Sequence, residues 1–349
     1  MRNIEDLIRP NIRQLKPYRS ARHDFASGIL LDANENAFGS AVSVDGLSLN
    51  RYPDPYQRDL RAALANLNDV SPEHVFAGVG SDEVIDLLIR IFCEPQSDSI
   101  VVLEPTYGVY RVAADVNNVR VVSCLLGDGF QVDVDAVRSH MTGAAKIVFC
   151  CSPNNPTGNL LRRDDILALC QSAEAIVVVD EAYADFAKSP SLAADVAANP
   201  NLVILRTLSK AWGLAAIRLG YAVAHPLVIS YLLKVKAPYS INILSSTEAL
   251  RALENKEYVR RVVASTIAER ERLRSALATL PRVQRVFPSD SNFLLVQFKH
   301  ARAVYEALAQ RGIIVRDRST EPGLTECLRI SVGTPEQNDT LLTALRSIS

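Results

Sequence analysis

The sequence predicts an α/β fold, in which helices cover a mostly parallel sheet, followed by a smaller α+β domain. From about residue 75, short apolar runs alternate with helical stretches. Several of these runs are continuously apolar, which is typical of strands that are buried on both faces. After Pro238 the pattern changes to long helix and a few separate strands. Two domains are also what a chain of 349 residues favours.

Seven apolar runs are the candidate strands of the large sheet: residues 74–79, 100–103, 119–125, 146–151, 176–179, 202–205 and 219–224. In the second domain the pattern predicts helix over 245–280 and about 301–311, and strands at 293–298, 313–316 and 328–332. We place the large domain at 39–245 and the small domain at 246–349. Residues 1–38 are Arg-rich and irregular. We expect this arm to be part of the small domain, or to pack against it or a partner subunit.

The composition argues against several classes of partner. The formal net charge is -1, which gives no support for binding to nucleic acid or to a membrane surface. No apolar run approaches the ~18 residues of a membrane span, and the N-terminus lacks the apolar core of a signal peptide. The five histidines show no zinc-type spacing, so we expect no metal site. The six cysteines contain no C-x-x-C motif and predict reduced core thiols in a cytoplasmic protein.

Polar motifs follow four of the candidate strands, at the positions where ligands bind in open α/β sheets. Residues 78–83 read Gly-Val-Gly-Ser-Asp-Glu and precede an apolar-periodic helix, whose first backbone N–H groups can face an anion. Residues 152–158 read Ser-Pro-Asn-Asn-Pro-Thr-Gly and form a rigid turn that can hold an amide side chain in place. Each of these motifs, taken alone, is also compatible with a purely structural turn.

The third and fourth motifs supply ionisable groups. Asp180-Glu181-Ala182-Tyr183 follows an apolar run directly, so its first carboxylate is placed either for a ligand or for a helix cap. Thr207-Leu208-Ser209-Lys210 is followed by Arg218, and together these side chains could hold a phosphate and present an amine beside it. Lysine is scarce, with eight against thirty arginines, and Lys210 lies in an otherwise apolar stretch. A solvated surface lysine remains the alternative.

Together the four motifs form the signature of fold-type I pyridoxal-phosphate enzymes, and the chain resembles that family over its whole length. The resemblance is closest to the histidinol-phosphate aminotransferases. It rests on residues 17–22 (PYRSAR), 32–36 (DANEN), 51–55 (RYPDP), 105–110 (PTYGVY), 151–158, 205–211 and 327–333 (CLRISVG). One departure is Ala216, where many relatives have glycine, and we expect it to matter little. The resemblance implies a large domain with a mostly parallel, seven-stranded sheet and a smaller α+β domain.

The resemblance also implies roles around the cofactor, pyridoxal 5'-phosphate, whose chemistry the protein orients and tunes. Lys210 would carry the cofactor as a Schiff base and then act as the general base. Asp180 would pair with the ring nitrogen. Tyr183 and Asn155 would hydrogen-bond the ring oxygen, and Tyr107 would stack on the ring face. By this resemblance, the catalytic residues are Lys210, Asp180 and Tyr183.

For the cofactor phosphate, the resemblance implies a site at the helix N-terminus that begins at Ser81-Asp82. Hydroxyls and a positive charge would come from Thr207, Ser209 and Arg218. In the family pattern, Tyr52 reaches this phosphate from the neighbouring subunit. The resemblance therefore implies a homodimer with active sites at the subunit interface.

For the substrate, Arg329 matches the family's main anion-binding arginine. In the histidinol-phosphate branch it serves the substrate phosphate, and the carboxylate of glutamate in the other half-reaction. Arg316 resembles a second phosphate-binding arginine, although a surface salt bridge with Asp317 or Glu326 is the alternative for it. Tyr18 and Asn34 lie in two of the matching motifs and are further candidate substrate contacts.

The reaction that the resemblance implies is transamination between histidinol phosphate and 2-oxoglutarate, which gives imidazole acetol phosphate and glutamate in histidine biosynthesis. Two enzymatic alternatives on the same scaffold are an aromatic amino-acid aminotransferase and a threonine-phosphate decarboxylase. The decarboxylase would release an amine without requiring glutamate. A non-catalytic binding protein that has kept the fold is a further alternative, and it would lack an absorption band that bleaches with glutamate.

Overall fold

The computed structural model describes residues 3–17, 29, 31–141, 143–172 and 174–348, and two β-sheets organise this part of the chain. The larger sheet has seven strands: β1 (Val75–Val79), β2 (Ser99–Glu104), β3 (Arg120–Leu125), β4 (Ala145–Cys151), β5 (Ile176–Asp180), β6 (Leu202–Thr207) and β7 (Leu219–Ala224). All seven predicted runs are strands, and their ends differ from the prediction by at most two residues. The predicted α/β class is therefore confirmed.

The strand order of the larger sheet is β1-β7-β6-β5-β4-β2-β3. Neighbours from β6 to β3 run parallel, whereas β7 is antiparallel to both β6 and β1. The sheet is therefore mostly parallel, as predicted. The carboxyl ends of β4, β5 and β6 lie side by side at one edge, which is where the polar motifs of the sequence are found.

Helices cover both faces of this sheet. They are α1 (Ile4–Leu7), α2 (Pro10–Gln14), α3 (Arg58–Asn68), α4 (Gly80–Phe92), α5 (Val109–Val116), α6 (Val134–His140), α7 (Arg163–Ser172), α8 (Pro226–Val235) and α9 (Ile243–Leu253). Along β5, Val177 and Val179 pack into one hydrophobic cluster with α3, α6, α7 and α9. Ile176 and Val178 pack into a second cluster with α4, α5 and α8. Burial on both faces explains why the strand is continuously apolar.

The smaller domain is an antiparallel sheet covered by helices. Its elements are α10 (Lys256–Leu277), β8 (Val283–Val286), β9 (Phe293–Phe298), α11 (Ala301–Gln310), β10 (Arg316–Asp317), β11 (Cys327–Ser331) and α12 (Pro335–Ser347). The strand order is β10-β11-β9-β8. Leu328 and Ile330 of β11 point into the core of this domain. Since side chains alternate along a strand, Arg329 between them points to the opposite face.

One predicted helix, over 245–280, is wrong as a single element. The chain forms α9 and α10, and Asn255 between them has non-helical torsion angles. The break lets the two helices serve different cores, because Ala249 and Leu253 of α9 pack into the large domain while Leu273 of α10 packs into the small one. The predicted boundary after residue 245 falls inside α9, and we propose Glu254-Asn255 as the boundary instead.

Two further differences concern the small sheet. The strand predicted at 313–316 is wrong in position, because only Arg316 and Asp317 pair with β11. Ile313 and Val315 are apolar because they pack against the core of the small domain. Their alternating pattern therefore resembles that of a strand, although these two residues do not pair with β11. The sequence did not predict β8, whose four residues are only partly buried or exposed.

Where the structure describes residues 1–38, the first helices pack against the large domain and not the small one; packing of this arm against a partner subunit stays a prediction. Ile4, Leu7 and Ile8 are buried in the cluster that contains α4 and α8. The Arg9 amide donates a hydrogen bond to the carbonyl of Ile91 at 3.0 Å. The Arg9 guanidinium forms an ion pair with Glu94 at 3.0 Å. The contacts therefore tie this segment to the end of α4.

Three observations bear on the expectations from composition. Within the described ranges, no helix combines the length and apolarity that crossing a membrane requires. The same residues contain no group of three or more His, Cys, Asp or Glu side chains that could hold a metal ion. All six cysteines are free and buried.

Candidate active site

The carboxyl ends of β4, β5 and β6 meet the start of α4 at a cavity of about 150 Å³, which we call the strand-end cavity. Ten residues that the sequence predicted as cofactor contacts line it: Ser81, Asp82, Tyr107, Asn155, Asp180, Tyr183, Thr207, Ser209, Lys210 and Arg218. The structure thus brings together residues that are up to about 140 positions apart in the chain. Their individual roles stay predictions.

Asp180 lies at the floor of the cavity, at the end of β5, with 3% of its surface exposed. Its Oδ2 accepts a hydrogen bond from the Tyr110 hydroxyl at 2.8 Å, and its Oδ1 accepts one from the Ala182 amide at 3.0 Å. Burial raises the pKa of Asp180 to about 6, against the opposing effect of these two hydrogen bonds. A ligand that presents a proton or a positive charge here would therefore reduce the free-energy cost of burying this carboxylate.

Tyr110 is a residue that sequence reasoning did not assign. Its ring is fully buried and stacks on Phe149, with the ring centroids 4.6 Å apart. This packing fixes the hydroxyl that bonds Asp180. Nothing local marks this role, because Tyr110 lies on α5 and Asp180 on β5, seventy positions apart.

Lys210 follows β6 and projects beside Tyr183, with Nζ 5.4 Å from the centroid of that ring. Burial and the positive charge of Arg329 lower the pKa of Lys210. A larger fraction of the amine is therefore neutral near pH 7, and only the neutral amine can act as a nucleophile or as a base.

The opposite end of the cavity is suited to an anion. Helix α4 begins there, and its first N–H groups have no partner within the helix. A Cβ atom at Gly220 would lie 2.2 Å from the Ser81 amide nitrogen, so β7 approaches the helix start more closely than another residue would allow. Gly80 has φ +74°, and a Cβ there would lie 3.0 Å from Nη2 of Arg218. The Arg218 guanidinium is 3.4 Å from the Asp82 carboxylate.

Hydroxyl groups complete this end of the cavity. Thr207 Oγ1 accepts a hydrogen bond from the Ser209 amide at 3.1 Å, which turns the chain after β6. The Tyr107 hydroxyl donates to Asp82 Oδ1 at 3.2 Å. These contacts hold the side chains around the helix start at fixed positions.

The small domain contributes a second set of charges, which we call the arginine face: Arg316, Arg318 and Arg329. Arg316 lies directly opposite Arg329 in the pairing of β10 with β11, and Arg318 is two positions further along the same segment. The Nη1 atom of Arg329 donates to Asn155 Oδ1 at 2.5 Å. The arginine face therefore reaches the strand-end cavity through Asn155.

Two aromatic rings join the arginine face to the cavity. The Arg329 guanidinium lies 5.3 Å from the centroid of the Phe293 ring, and Phe293 contacts Tyr183 edge-to-face at 5.2 Å. Sequence reasoning assigned no role to Phe293, since an apolar residue at the start of a strand is ordinarily a core residue.

The expected partners of Arg316 in a surface salt bridge are engaged elsewhere. Asp317 lies 4.0 Å from the Arg302 guanidinium and accepts a hydrogen bond from the Ser319 amide. Glu326 accepts a hydrogen bond from the Ala301 amide. Arg316 is exposed and does not line the strand-end cavity.

Two other candidate residues, Asn34 and Tyr52, stand apart from the cavity. Asn34 is exposed, in the left-handed backbone region at φ 54°. Tyr52 is half exposed, and its ring stacks on Tyr239 with the centroids 4.5 Å apart. Neither lines the strand-end cavity of its own chain. Tyr18 lies outside the described residues.

The groups in the cavity fit pyridoxal phosphate. The buried carboxylate of Asp180 suits a protonated ring nitrogen, and Asn155 and Tyr183 offer polar atoms beside it. Lys210 supplies the amine. The glycine-lined start of α4, with Arg218, suits a phosphate at the other end.

Comparisons with known proteins agree with this assignment. The family model for aminotransferase class I and II matches residues 24–345. A histidinol-phosphate aminotransferase from Parabacteroides distasonis is 45% identical over 350 residues, covering 100% of this chain and 99% of that protein.

Solved structures give the same result. A histidinol-phosphate aminotransferase from Sinorhizobium meliloti, in complex with pyridoxal-5'-phosphate, has a TM-score of 0.80 and 26% identity, covering 90% of this chain and 89% of that one. An L-threonine-O-3-phosphate decarboxylase from Porphyromonas gingivalis has a TM-score of 0.74 and 25% identity, covering 86% of this chain and 93% of that one. With its family match, its fold and its donor set in agreement, the chain belongs to the class I and II aminotransferases, a pyridoxal-phosphate-dependent family.

Proposed function

We propose that this enzyme transfers the amino group of histidinol phosphate to 2-oxoglutarate, giving imidazole acetol phosphate and glutamate, as a step of histidine biosynthesis. The observation that carries the proposal is the arginine face beside a cavity that contains a lysine and a buried carboxylate. The 45% identity to a histidinol-phosphate aminotransferase over the full chain supports it.

The cofactor, when bound, withdraws electrons from the substrate α-carbon and so makes its proton acidic. In the proposed mechanism, Asp180 holds the ring nitrogen in its protonated form. Burial raises the pKa of Asp180 to about 6, although the charge of Lys210 lowers it, and a further positive charge at the ring nitrogen would lower that pKa more.

Lys210 is the proposed base. Its Nζ removes the proton from the substrate α-carbon. Burial and the charge of Arg329 lower the pKa of its ammonium, which favours the neutral amine that acts as a base. Tyr183 lies directly beside Nζ, where it limits the positions that the flexible lysine chain can reach. Tyr183 therefore helps to position the proton acceptor.

Arg329 is the proposed substrate anchor in both half-reactions. Its guanidinium is held between Asn155 and the ring of Phe293. A guanidinium can bind a carboxylate or a phosphate through paired, charged hydrogen bonds. The same side chain can thus serve glutamate and histidinol phosphate in turn.

The decisive experiment is a substrate panel with the holoenzyme. Histidinol phosphate, phenylalanine, tyrosine and threonine phosphate are each offered with 2-oxoglutarate, and the products are measured. Glutamate formation that is fastest with histidinol phosphate supports the proposal. Faster transamination of phenylalanine or tyrosine would contradict it and favour an aromatic aminotransferase.

A phosphothreonine decarboxylase is the second candidate, because a solved enzyme of that kind shares the fold at 25% identity. The arginine face suits both phosphorylated substrates. Release of carbon dioxide and an amine from threonine phosphate, without any need for 2-oxoglutarate, would establish this candidate and reject transamination.

We propose further that the enzyme is a homodimer, in which Tyr52 serves the cofactor phosphate of the partner subunit. In support, the Tyr52 ring is half exposed and lies outside the cavity of its own chain. We also propose that the enzyme works in the cytoplasm, the compartment in which thiols stay reduced, since its six cysteines are free.

A further inference from the structure

We propose that Arg318 is a third anion-binding arginine of the substrate site, and that it selects for the doubly charged phosphate of the substrate. The inference deepens the proposed function and rests on it. The sequence pattern did not single out Arg318, and its position two residues after Arg316 is the only local signal.

The position of Arg318 is the first argument. Its side chain is only 15% exposed, and its Nη2 lies 3.5 Å from Asn155 Oδ1, the atom that also accepts from Arg329. Two guanidinium groups therefore converge on one amide oxygen at the rim of the strand-end cavity.

Unused hydrogen-bonding capacity is the second argument. Arg318 donates from Nη1 to Glu321 Oε1 at 2.5 Å, a single contact where arginine and carboxylate commonly form two. Three buried atoms in this short segment have no hydrogen-bond partner among the described residues: Arg318 Nε, Ser319 Oγ and Glu321 Oε2. Buried polar atoms rarely stay unpaired, and two of these three, Arg318 Nε and Ser319 Oγ, are donors that an anion could accept from.

A neighbouring cavity gives that ligand room. Arg318 and Glu321 line a second cavity of about 160 Å³. Tyr107 lines both this cavity and the strand-end cavity, so the two adjoin. A substrate whose amine lies at Lys210 could extend its anionic end from one cavity toward the other.

Charge is the third argument. The positive charges of Arg318 and Arg316 lower the pKa of Arg329, after the larger effect of burial. Glu321 is the carboxylate that interacts with all three arginines, although burial raises its pKa. Three guanidinium charges less one carboxylate leave a net charge of plus two, which matches a phosphate dianion better than a single carboxylate group of glutamate.

The test compares Arg318→Gln and Arg318→Lys with the wild-type holoenzyme. Arg318→Gln is expected to raise the KM for histidinol phosphate roughly ten- to a hundredfold, with a smaller change in kcat, because it removes a charged hydrogen bond. The KM for glutamate should change by less than about threefold, and Arg318→Lys should recover part of the loss. Equal increases for both substrates, or no recovery with lysine, would show that Arg318 only supports the fold.

Arg318→Gln leaves Glu321 without its cation, which can itself destabilise the protein. The double variant Arg318→Gln/Glu321→Gln removes both charges and separates the two effects. It should still bind histidinol phosphate weakly; a wild-type KM in the double variant would overturn the inference. Arg274→Gln is the matched control, because Arg274 forms an ion pair at the same sequence spacing with Glu271, and both of these side chains are about half exposed on α10.

Binding of inorganic phosphate to the holoenzyme, measured by calorimetry, separates this inference from the proposed reaction. With the cofactor phosphate already in its own site, Arg318→Gln should weaken the binding of added phosphate by about tenfold or more. That loss in a protein that does not transaminate histidinol phosphate would reject the reaction and keep the anion site. Unchanged phosphate binding in an active transaminase would reject the anion site and keep the reaction.

Discussion

The strand-end cavity and the arginine face are built in different ways, although they adjoin. Asp180 stands at the end of a fully buried strand, and both of its oxygens are hydrogen-bonded. Arg316 and Arg318 lie on or just after a two-residue strand at the edge of the small sheet. Several polar atoms there have no partner within the described residues. The cavity is fixed by backbone and buried packing, whereas the arginine face is held by side chains with unused donors.

This difference matches two different tasks. A cofactor that stays bound needs groups held in one geometry, and rigid elements with buried support provide that. A site that must accept two unlike substrates in turn needs hydrogen-bond donors that are not committed to partners within the protein. Such donors can bind a phosphate in one half-reaction and a carboxylate in the other. We therefore expect substitutions in the cavity to affect every substrate alike, and substitutions on the arginine face to separate the substrates.

The largest effect is expected for Lys210→Ala. Loss of the base should reduce turnover by ~10³-fold or more with every substrate. Stopped-flow measurement of both half-reactions checks this. Borohydride reduction of the wild-type holoenzyme should label Lys210, and a label on another lysine would contradict the assignment. Lys188→Ala is the control, since Lys188 is exposed and outside the cavity.

A second prediction concerns the buried carboxylate of the cavity. The folded pKa of Asp180 is raised to about 6 from the ordinary 3.8, so the cofactor-free fold loses stability as pH rises through this window. The loss amounts to about 3 kcal/mol at pH 8. Asp180→Asn cannot ionise, so without cofactor it should be more stable than the wild type at pH 8, and the difference should shrink toward pH 4.

Urea unfolding of the cofactor-free proteins at several pH values measures this effect. The exposed Asp128 provides a control, since Asp128→Asn should not reproduce the dependence. A stability difference between Asp180→Asn and the wild type that does not change with pH would show that burial does not hold this carboxylate in an unfavourable state. With cofactor bound, the same substitution should slow proton abstraction for all substrates.

On the arginine face, Arg316→Ala and Arg329→Ala should differ from each other. Arg316→Ala should raise the KM for histidinol phosphate roughly ten- to a hundredfold and that for glutamate much less. Arg329→Ala should impair both half-reactions, because glutamate also needs an anion partner. Histidinol without its phosphate should be a poor substrate and lose little further in Arg316→Ala. Equal efficiency with histidinol and histidinol phosphate in the wild type would refute a phosphate site.

The smallest expected effect is a partial recovery of activity when two inactive variants are mixed, and it tests whether Tyr52 serves the active site of the partner subunit. Inactive Tyr52→Ala and Lys210→Ala proteins, mixed in equal amounts, should recover about a quarter of wild-type activity if subunits exchange at random, because half of the dimers carry one intact site of two. Subunit exchange is verified with a tagged protein. No recovery after verified exchange would mean that Tyr52 serves no site across the interface.

Much of the strand-end cavity could be predicted because its signals are local. A polar motif after an apolar strand marks a strand end, and parallel strand ends meet at one edge of the sheet. Asp180 and Lys210 are candidates on this ground alone, because each belongs to a polar motif that follows an apolar strand. The same reasoning could not find Tyr110 or Phe293, because their contacts join elements that are distant in the sequence.

The small domain was harder to predict for a related reason. Ile313 and Val315 have the apolar pattern of a strand, yet only Arg316 and Asp317 pair with β11. Helix over 245–280 was predicted as one element because both helices are regular, whereas the chain breaks at Asn255 and the two helices have different packing partners. Arg318 resembles any charged residue in a loop until its neighbours are known.

By itself, the sequence determined the α/β class and the seven strands of the large sheet, since periodicity and turn residues act over short distances. Its resemblance to a known family supplied ten of the residues that line the strand-end cavity. The tertiary structure decided the direction of β7, the place where α9 gives way to α10, and the convergence of Arg318 with Arg329 on Asn155. These features depend on contacts between residues far apart in the chain. No local pattern encodes such contacts, because they arise only when elements distant in the sequence pack together.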